Sequence, residues 1–216
     1  MGVDYELSLS AGRFLLLPER AAYWAEQGTL LVADLHLGKA ETFQAFGIAV
    51  PSGHAGDDLS RLGALYRRVG AENVVILGDL LHSKVGLGDG LVRQIADGLR
   101  SLEAQVTLVL GNHDKAAERV AEAAGIGVAE RLERGGVFLT HKPEVRDGLF
   151  NICGHVHPRA VVRLEFDRIK LPCFVLERAQ LILPAFGSFT AGEDAARAPG
   201  RQRFVAVEGG VVALDG

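Results

Sequence analysis

The chain has 216 residues, with 23 basic against 27 acidic side chains and a formal net charge of −4. That length lets folding bury roughly 70–75% of the unfolded surface, so a single domain spanning residues 1–216 is expected to build its own core. The acidic balance excludes a protein that grips nucleic acid through a broad basic face, and any attraction for phosphate has to be local.

In chain order, the opening from Met1 to Glu6 has neither a basic segment nor an apolar one of signal-peptide kind, and Glu6 stands where a myristoylation signal wants Ser or Thr. No apolar run approaches the roughly 18 residues of a membrane span. The two cysteines, Cys153 and Cys173, form no CxxC pair, so buried thiols in a reducing cytoplasm are expected. Short continuous apolar runs then recur: Leu30 to Ala33, Val74 to Leu77, Val106 to Leu110, Val137 to Leu139 and Phe150 to Cys153. Continuous rather than alternating apolarity predicts strands buried on both faces. Helices are expected between them at Asp57 to Val69, Leu91 to Glu103 and Asp114 to Ala124, giving a βαβα rhythm. From His141 to His155 there are only 14 positions, which suits a turn. Beyond His157 the runs Val161 to Phe166, Leu171 to Leu176, Leu181 to Leu183, Phe204 to Val207 and Val211 to Leu214 predict short strands of a second sheet.

Six of the seven histidines fall in or beside polar clusters that follow these runs: Asp34-Leu-His36, Gly78-Asp79-Leu-Leu-His82, Gly111-Asn112-His113-Asp114, Thr140-His141 and Gly154-His155-Val-His157. Imidazoles, carboxylates and a carboxamide are the N/O donors that hold Zn, Mn or Fe, and they outnumber what one ion can use. Ligands at the carboxyl ends of successive strands converge on one sheet edge, so their sequence separation is no obstacle. No Gly-x-Ser-x-Gly elbow or cysteine-hydrolase signature is present, which leaves metal-activated water as the economical nucleophile.

The five clusters, in this order, resemble the pattern of the calcineurin-like metallophosphoesterase family. The spellings Ala33-Asp-Leu-His-Leu-Gly-Lys39, Leu77-Gly-Asp-Leu-Leu-His-Ser83, Thr140-His-Lys-Pro143, Gly154-His-Val-His-Pro158 and Leu183-Pro-Ala-Phe-Gly-Ser-Phe-Thr190 look most like its bacterial ligase-associated DNA damage response endonuclease branch. The resemblance implies an α/β fold, a four-layer α-β-β-α sandwich of two mainly β sheets flanked by helices. It also implies one metal on Asp34, His36, Asp79 and His157 and a second on Asp79, Asn112, His141 and His155, with Asp79 bridging. The implied reaction is attack of a metal-bridging hydroxide on a DNA phosphodiester, with Mn²⁺ the family expectation and Zn²⁺ or Fe compatible with the ligands. DNA is the implied substrate. An ATP-dependent DNA ligase, a nuclease and a helicase of the same repair system are the implied partners.

Within that frame His113 is the expected general acid, and Asp114 is expected to orient it or to cap the helix that follows. His82 and Lys142 are candidate substrate contacts, with Lys39, Lys84 and Arg159 weaker ones. Arg197, Arg201 and Arg203 surround Pro199 in what reads as an exposed loop. The glycines at 86, 88 and 90 miss dinucleotide spacing and read as a flexible rim loop. His54, outside every motif, reads as a surface residue at a helix start. Two rival functions use the same fold: hydrolysis of small cyclic or diphosphate nucleotides, which the low basic charge suits, and a partner-binding scaffold without catalysis, which an intact ligand set disfavours.

Overall fold

A computed structural model of the chain describes residues 3–163, 165 and 167–214. Tyr5–Leu9 (β1), Gly12–Leu17 (β2) and Ala21–Trp24 (β3) form an antiparallel run that continues into Thr29–Val32 (β4). From β4 the pairing turns parallel through Asn73–Leu77 (β5), Gln105–Val109 (β6) and Gly127–Ala129 (β7), completing a seven-stranded sheet in sequence order. The helices Lys39–Ala45 (α1), His54–Val69 (α2), Asp89–Arg100 (α3) and Ala117–Ala124 (α4) all lie in the chain between β4 and β7.

The second sheet holds Leu132–Arg134 (β8), Val137–Leu139 (β9), Phe150–Cys153 (β10), Arg159–Arg163 (β11), Arg168–Glu177 (β12), Gln180–Ile182 (β13), Arg201–Val207 (β14) and Gly210–Ala213 (β15). Its order is β15-β14-β12-β13-β10-β9-β8, with β11 paired to β12, and β9, β10 and β13 run parallel. Alternate residues of the buried strands serve two cores. Leu30, Val32, Val74, Ile76 and Leu108 meet Leu59, Leu62, Ile95, Leu99 and Val120 of the helices. Their neighbours Leu31, Val75, Leu77 and Val109 meet Ile152, Phe174, Leu181 and Phe204 of the second sheet. Burial on both faces is what the unbroken apolar runs require. On the far side of the second sheet, Cys153, Ala160, Cys173, Val175, Ile182 and Val205 form a third cluster that contains no helical residue.

The two-sheet, helix-flanked architecture agrees with the α/β expectation, and several local expectations need correction. The His141 to His155 link is not a hairpin turn: β9 and β10 are parallel, and residues 140–149 make an irregular crossover without a helix. The segment around the glycines at 86, 88 and 90 is anchored, because Leu87 is buried in the helix-side core and the Thr42 hydroxyl donates to the Val85 carbonyl (2.7 Å). Arg201 and Arg203 belong to β14; Arg201 pairs with Glu177 at 2.7 Å, and Arg203 is buried and donates to the Ala195 carbonyl (3.0 Å). Of the expected strand Val161 to Phe166, β11 covers Val161 to Arg163, while Leu164 and Phe166 lie outside the described residues, as do Met1 and Gly2. Sequence periodicity gave no expectation for β1 to β3 or for α1. Among the described residues no helix is long and apolar enough to cross a membrane.

Candidate metal centre

Of the seven strands that run parallel within their sheets, six, β4, β5, β6, β9, β10 and β13, each end in one of the polar clusters or in the segment Leu183 to Thr190. The clusters are stitched together by backbone bonds across strand ends: the amide of Asp34 donates to the Gly78 carbonyl (3.1 Å), that of His36 to the Asp79 carbonyl (2.9 Å) and that of Gly154 to the His141 carbonyl (3.0 Å). Holding five donors over these edges requires unusual backbone. Asp34, His36, Asp79, His155 and His157 all have φ between 47° and 70°, a region that non-glycine residues enter rarely and at a cost of about 1–3 kcal/mol each. Such strain persists only where surrounding contacts over-determine it, and it concentrates here.

The side chains gather in two facing sets. Asp34, His36 and His157 form one, and Asp79, His141 and His155 the other. In the first, His36 Nε2 and His157 Nε2 stand 3.2 Å apart and Asp34 Oδ1 lies 3.3 Å from His157 Nε2. In the second, His141 Nε2 lies 3.0 Å from His155 Nδ1 and 3.1 Å from Asn112 Oδ1. Asp79 sits between the sets: its Oδ1 accepts the His113 amide (2.9 Å), while its Oδ2 is 3.7 Å from His36 Nε2 and 3.5 Å from His141 Nε2. The structure therefore brings together all seven expected ligands.

Backbone carbonyls set the imidazole tautomers. His141 Nδ1 donates to the Leu77 carbonyl (3.0 Å) and His157 Nδ1 to the Ala191 carbonyl (3.1 Å), so in the neutral rings both Nε2 lone pairs point inward. The Asn112 carboxamide oxygen thus faces a lone pair across 3.1 Å with no proton between them. Asp34 Oδ2 accepts the His155 amide (2.8 Å), but Oδ1 is buried without a hydrogen-bond partner. A buried orphan carboxylate oxygen is costly unless a cation meets it. This donor set, two carboxylates with inward lone pairs and a carboxamide, fits a divalent metal.

Burial foremost, then the charges of His157, His113, His82 and Lys39, push the His36 imidazole down to about 2, so it stays neutral and available as a ligand. Burial also lowers His155 and His82. Burial works against protonating His157 as well, but the adjacent Asp34 carboxylate outweighs it and raises that group. Cys153 is buried as expected; burial, reinforced by Asp34 and Glu177, raises its thiol far above the usual range, which keeps it an inert neutral thiol.

Around the paired sets lie His113 and His82. His113 Nδ1 donates to the His82 carbonyl (2.7 Å), the two rings stack with centroids 5.5 Å apart, and their nitrogens join His36 in a third cluster. Neither expected role of Asp114 is seen as a contact. Its buried carboxylate accepts the amides of Leu81 (3.0 Å) and Gly111 (2.9 Å), and the residue at the cap of α4 is Ala116. Lys142 lines an open cleft of about 240 Å³ with Asn112, His141 and Arg131. His54 does begin α2, and its ring stacks on Phe189 at 5.0 Å. Sequence reasoning missed this aromatic shelf, in which Lys39 Nζ stands over Phe189 (5.4 Å) and Phe43 (6.0 Å) beside His82. Its only signal was Phe189 inside the segment Leu183 to Thr190.

Strand-end loops around a cation-ready donor set are the plan of a metal-dependent phosphoesterase. A family model described as calcineurin-like phosphoesterase matches residues 29–168, and the chain belongs to that family. Among solved structures, the nuclease MPE of Pseudomonas putida is similar over 98% of this chain and 100% of that one, with 30% identity and a TM-score of 0.82. The Escherichia coli phosphoesterase YfcE aligns over 83% of this chain and 88% of its own, at 15% identity and a TM-score of 0.46. No curated protein sequence matches the chain.

Proposed function

We propose that the chain hydrolyses phosphodiester bonds in DNA with two divalent cations, Mn²⁺ being the family expectation. One ion would take Asp34, His36, Asp79 and His157, and the other Asp79, Asn112, His141 and His155. The observation that carries this reading is the position of Asp79 Oδ2, within 3.7 Å of an imidazole nitrogen from each set. When bound, such cations polarise phosphate oxygens and lower the pKa of water.

The chain's own residues supply the rest. The Leu77 and Ala191 carbonyls keep the His141 and His157 lone pairs aimed inward. His113, its Nδ1–H fixed on the His82 carbonyl, would act as general acid in its imidazolium form, giving the second ring proton from Nε2 to the departing oxygen and keeping the one on Nδ1, a role worth about 10²–10⁴-fold. Asp114 is a positioning residue: by clamping the Leu81 and Gly111 amides it locks the loop of His82 to the loop of His113. His82 and Lys142 are the proposed substrate contacts. The DNA substrate rests on sequence resemblance together with the likeness to the Pseudomonas putida nuclease, and work alongside an ATP-dependent ligase, a nuclease and a helicase rests on the sequence resemblance alone.

The test is cleavage mapping on end-labelled single- and double-stranded oligonucleotides. Activity should vanish in EDTA and return with Mn²⁺. A preference of many fold for small nucleotides at matched metal would overturn the DNA reading, and hydrolysis undiminished by EDTA would overturn the metal mechanism.

A further inference from the structure

On the His157 side of the centre lies a pocket of about 170 Å³ lined by Arg20, Arg159, Ser188, Thr190 and His157, and no carboxylate lines it. His157 belongs to both the pocket and the first ligand set, so the two compartments are contiguous. Arg20 enters from the turn between β2 and β3 with φ of 71°, and its guanidinium makes one long hydrogen bond, to the Gly187 carbonyl (3.3 Å). Arg159, at the start of β11, donates through Nη2 to the Lys170 carbonyl (2.7 Å). Neither arginine has a carboxylate within ion-pairing distance among the described residues. A guanidinium carries five donors, so both keep most of theirs free.

The segment between the arginines is held firmly. The Asp58 carboxylate accepts the Ser188 amide (2.9 Å) and hydroxyl (3.2 Å) and pairs with Arg61 (3.0 Å), and Arg61 also donates to the Phe186 carbonyl. Thr190 Oγ1 is tied to the Gly187 carbonyl (2.8 Å). Asp58 thus answers one guanidinium while a second stands near it. Burial, with the Arg61 charge next, brings Arg20 down to about 10 despite Asp58, which marks a cation short of compensating negative charge. In an acidic protein, two arginines without a carboxylate partner around a small pocket describe an anion site, and guanidinium geometry matches phosphate.

We infer that this pocket binds the phosphate of the nucleotide next to the one being cleaved, so that the enzyme grips a polynucleotide at two successive phosphates. The inference rests on the phosphodiesterase reading above and adds a polarity to it: the strand crosses the centre from the Lys142 cleft toward Arg20 and Arg159.

The test compares bis(p-nitrophenyl) phosphate, which has one phosphate, with an oligothymidylate, each with Mn²⁺, for the intact enzyme and for Arg20→Gln and Arg159→Gln. Each variant should raise KM on the oligonucleotide about tenfold more than on the small diester, the worth of one charge-assisted hydrogen bond. The salt dependence of oligonucleotide binding should also shallow, by roughly 0.7 in logarithmic slope for each arginine replaced. A measurement that needs no variant replaces single phosphates of the oligonucleotide by neutral methylphosphonates: one position flanking the cleaved bond should raise KM in the intact enzyme and add little further in Arg20→Gln. Equal losses on both substrates, or no methylphosphonate effect, would overturn the inference. If instead p-nitrophenyl thymidine phosphates gain from a second, terminal phosphate while oligonucleotides are insensitive to methylphosphonate, the occupant is a terminal phosphate and the internal-strand assignment falls. An intact enzyme that turns over the small diester but no oligonucleotide would sink the DNA reading and this inference together, whereas failure of the arginine arms alone leaves the DNA reading standing.

Discussion

Two side chains divide the chemistry. Asp79 Oδ2 faces the inward Nε2 of an imidazole from each set, whereas Asp34 Oδ1 reaches the second set only at His141 Nδ1, 3.8 Å away and already bonded to the Leu77 carbonyl, so Asp79→Ala removes a ligand from each proposed ion at once. Its turnover is expected to fall by at least about 10³-fold, with metal content by atomic spectroscopy dropping in parallel. Near-normal rates would refute the bridging assignment. His113 contributes no donor to either paired set, and its ring is anchored by the His82 carbonyl. His113→Ala is therefore expected to retain metal and to lose about 10²–10⁴-fold in kcat on DNA. The loss should be smaller on p-nitrophenyl esters, whose leaving group needs no proton, and equal losses across leaving groups would count against a general acid.

At the scale of elements, the strands announce themselves because each buried run feeds two cores and cannot alternate. The clusters that follow were legible for the same reason: a polar word directly after an apolar run sits at a strand's carboxyl end. What stayed hidden depends on contacts distant in sequence. The amino-terminal hairpins are recognisable only once Phe14, Leu16 and Trp24 are seen packing into the core between the sheets. α1 is seven residues long, with too few turns to show a period. The partners of Asp114 lie at Leu81 and Gly111, and Arg20 meets the segment of Gly187, pairings no local pattern encodes. Strand-end packing also explains two motif glycines. A Cβ on Gly78 would come within 2.2 Å of His141 Nδ1, and one on Gly111 within 2.2 Å of Asp79 Oδ1. Gly111→Ala must displace the central carboxylate, so its turnover should fall nearly as far as that of Asp79→Ala while far-UV circular dichroism stays native. Activity within twofold of the parent would show that the strand ends yield more easily than this packing allows.

Across the whole molecule, a chain of net charge −4 concentrates seven donors, only two of them carboxylates, at one rim between its sheets. Without metal, that rim brings imidazoles together away from solvent, His36 foremost. His36, held near 2 against about 6.5 in an unfolded chain, refuses a proton that the unfolded state accepts. Its folded pKa being the lower, it destabilises the metal-free fold increasingly as pH falls from about 6.5 toward 2, by about 1.4 kcal/mol per pH unit. The lowered groups of His82 and His155 act in the same sense. His157, raised overall, opposes them: its contribution is present in acid and lost as pH climbs through its folded pKa. The metal-free protein should accordingly melt at lower temperature at pH 5 than at pH 7 in differential scanning fluorimetry. Mn²⁺ at about a hundred times its Kd should stabilise by about 2.7 kcal/mol, raising Tm at pH 7 by roughly 5–10 °C. That increment should shrink toward pH 5, because protons and cations compete for the same inward lone pairs. A Tm at pH 7 indifferent to Mn²⁺, Zn²⁺ and Fe²⁺ alike would mean that the orphan Asp34 oxygen and its imidazole neighbours do not close on a cation.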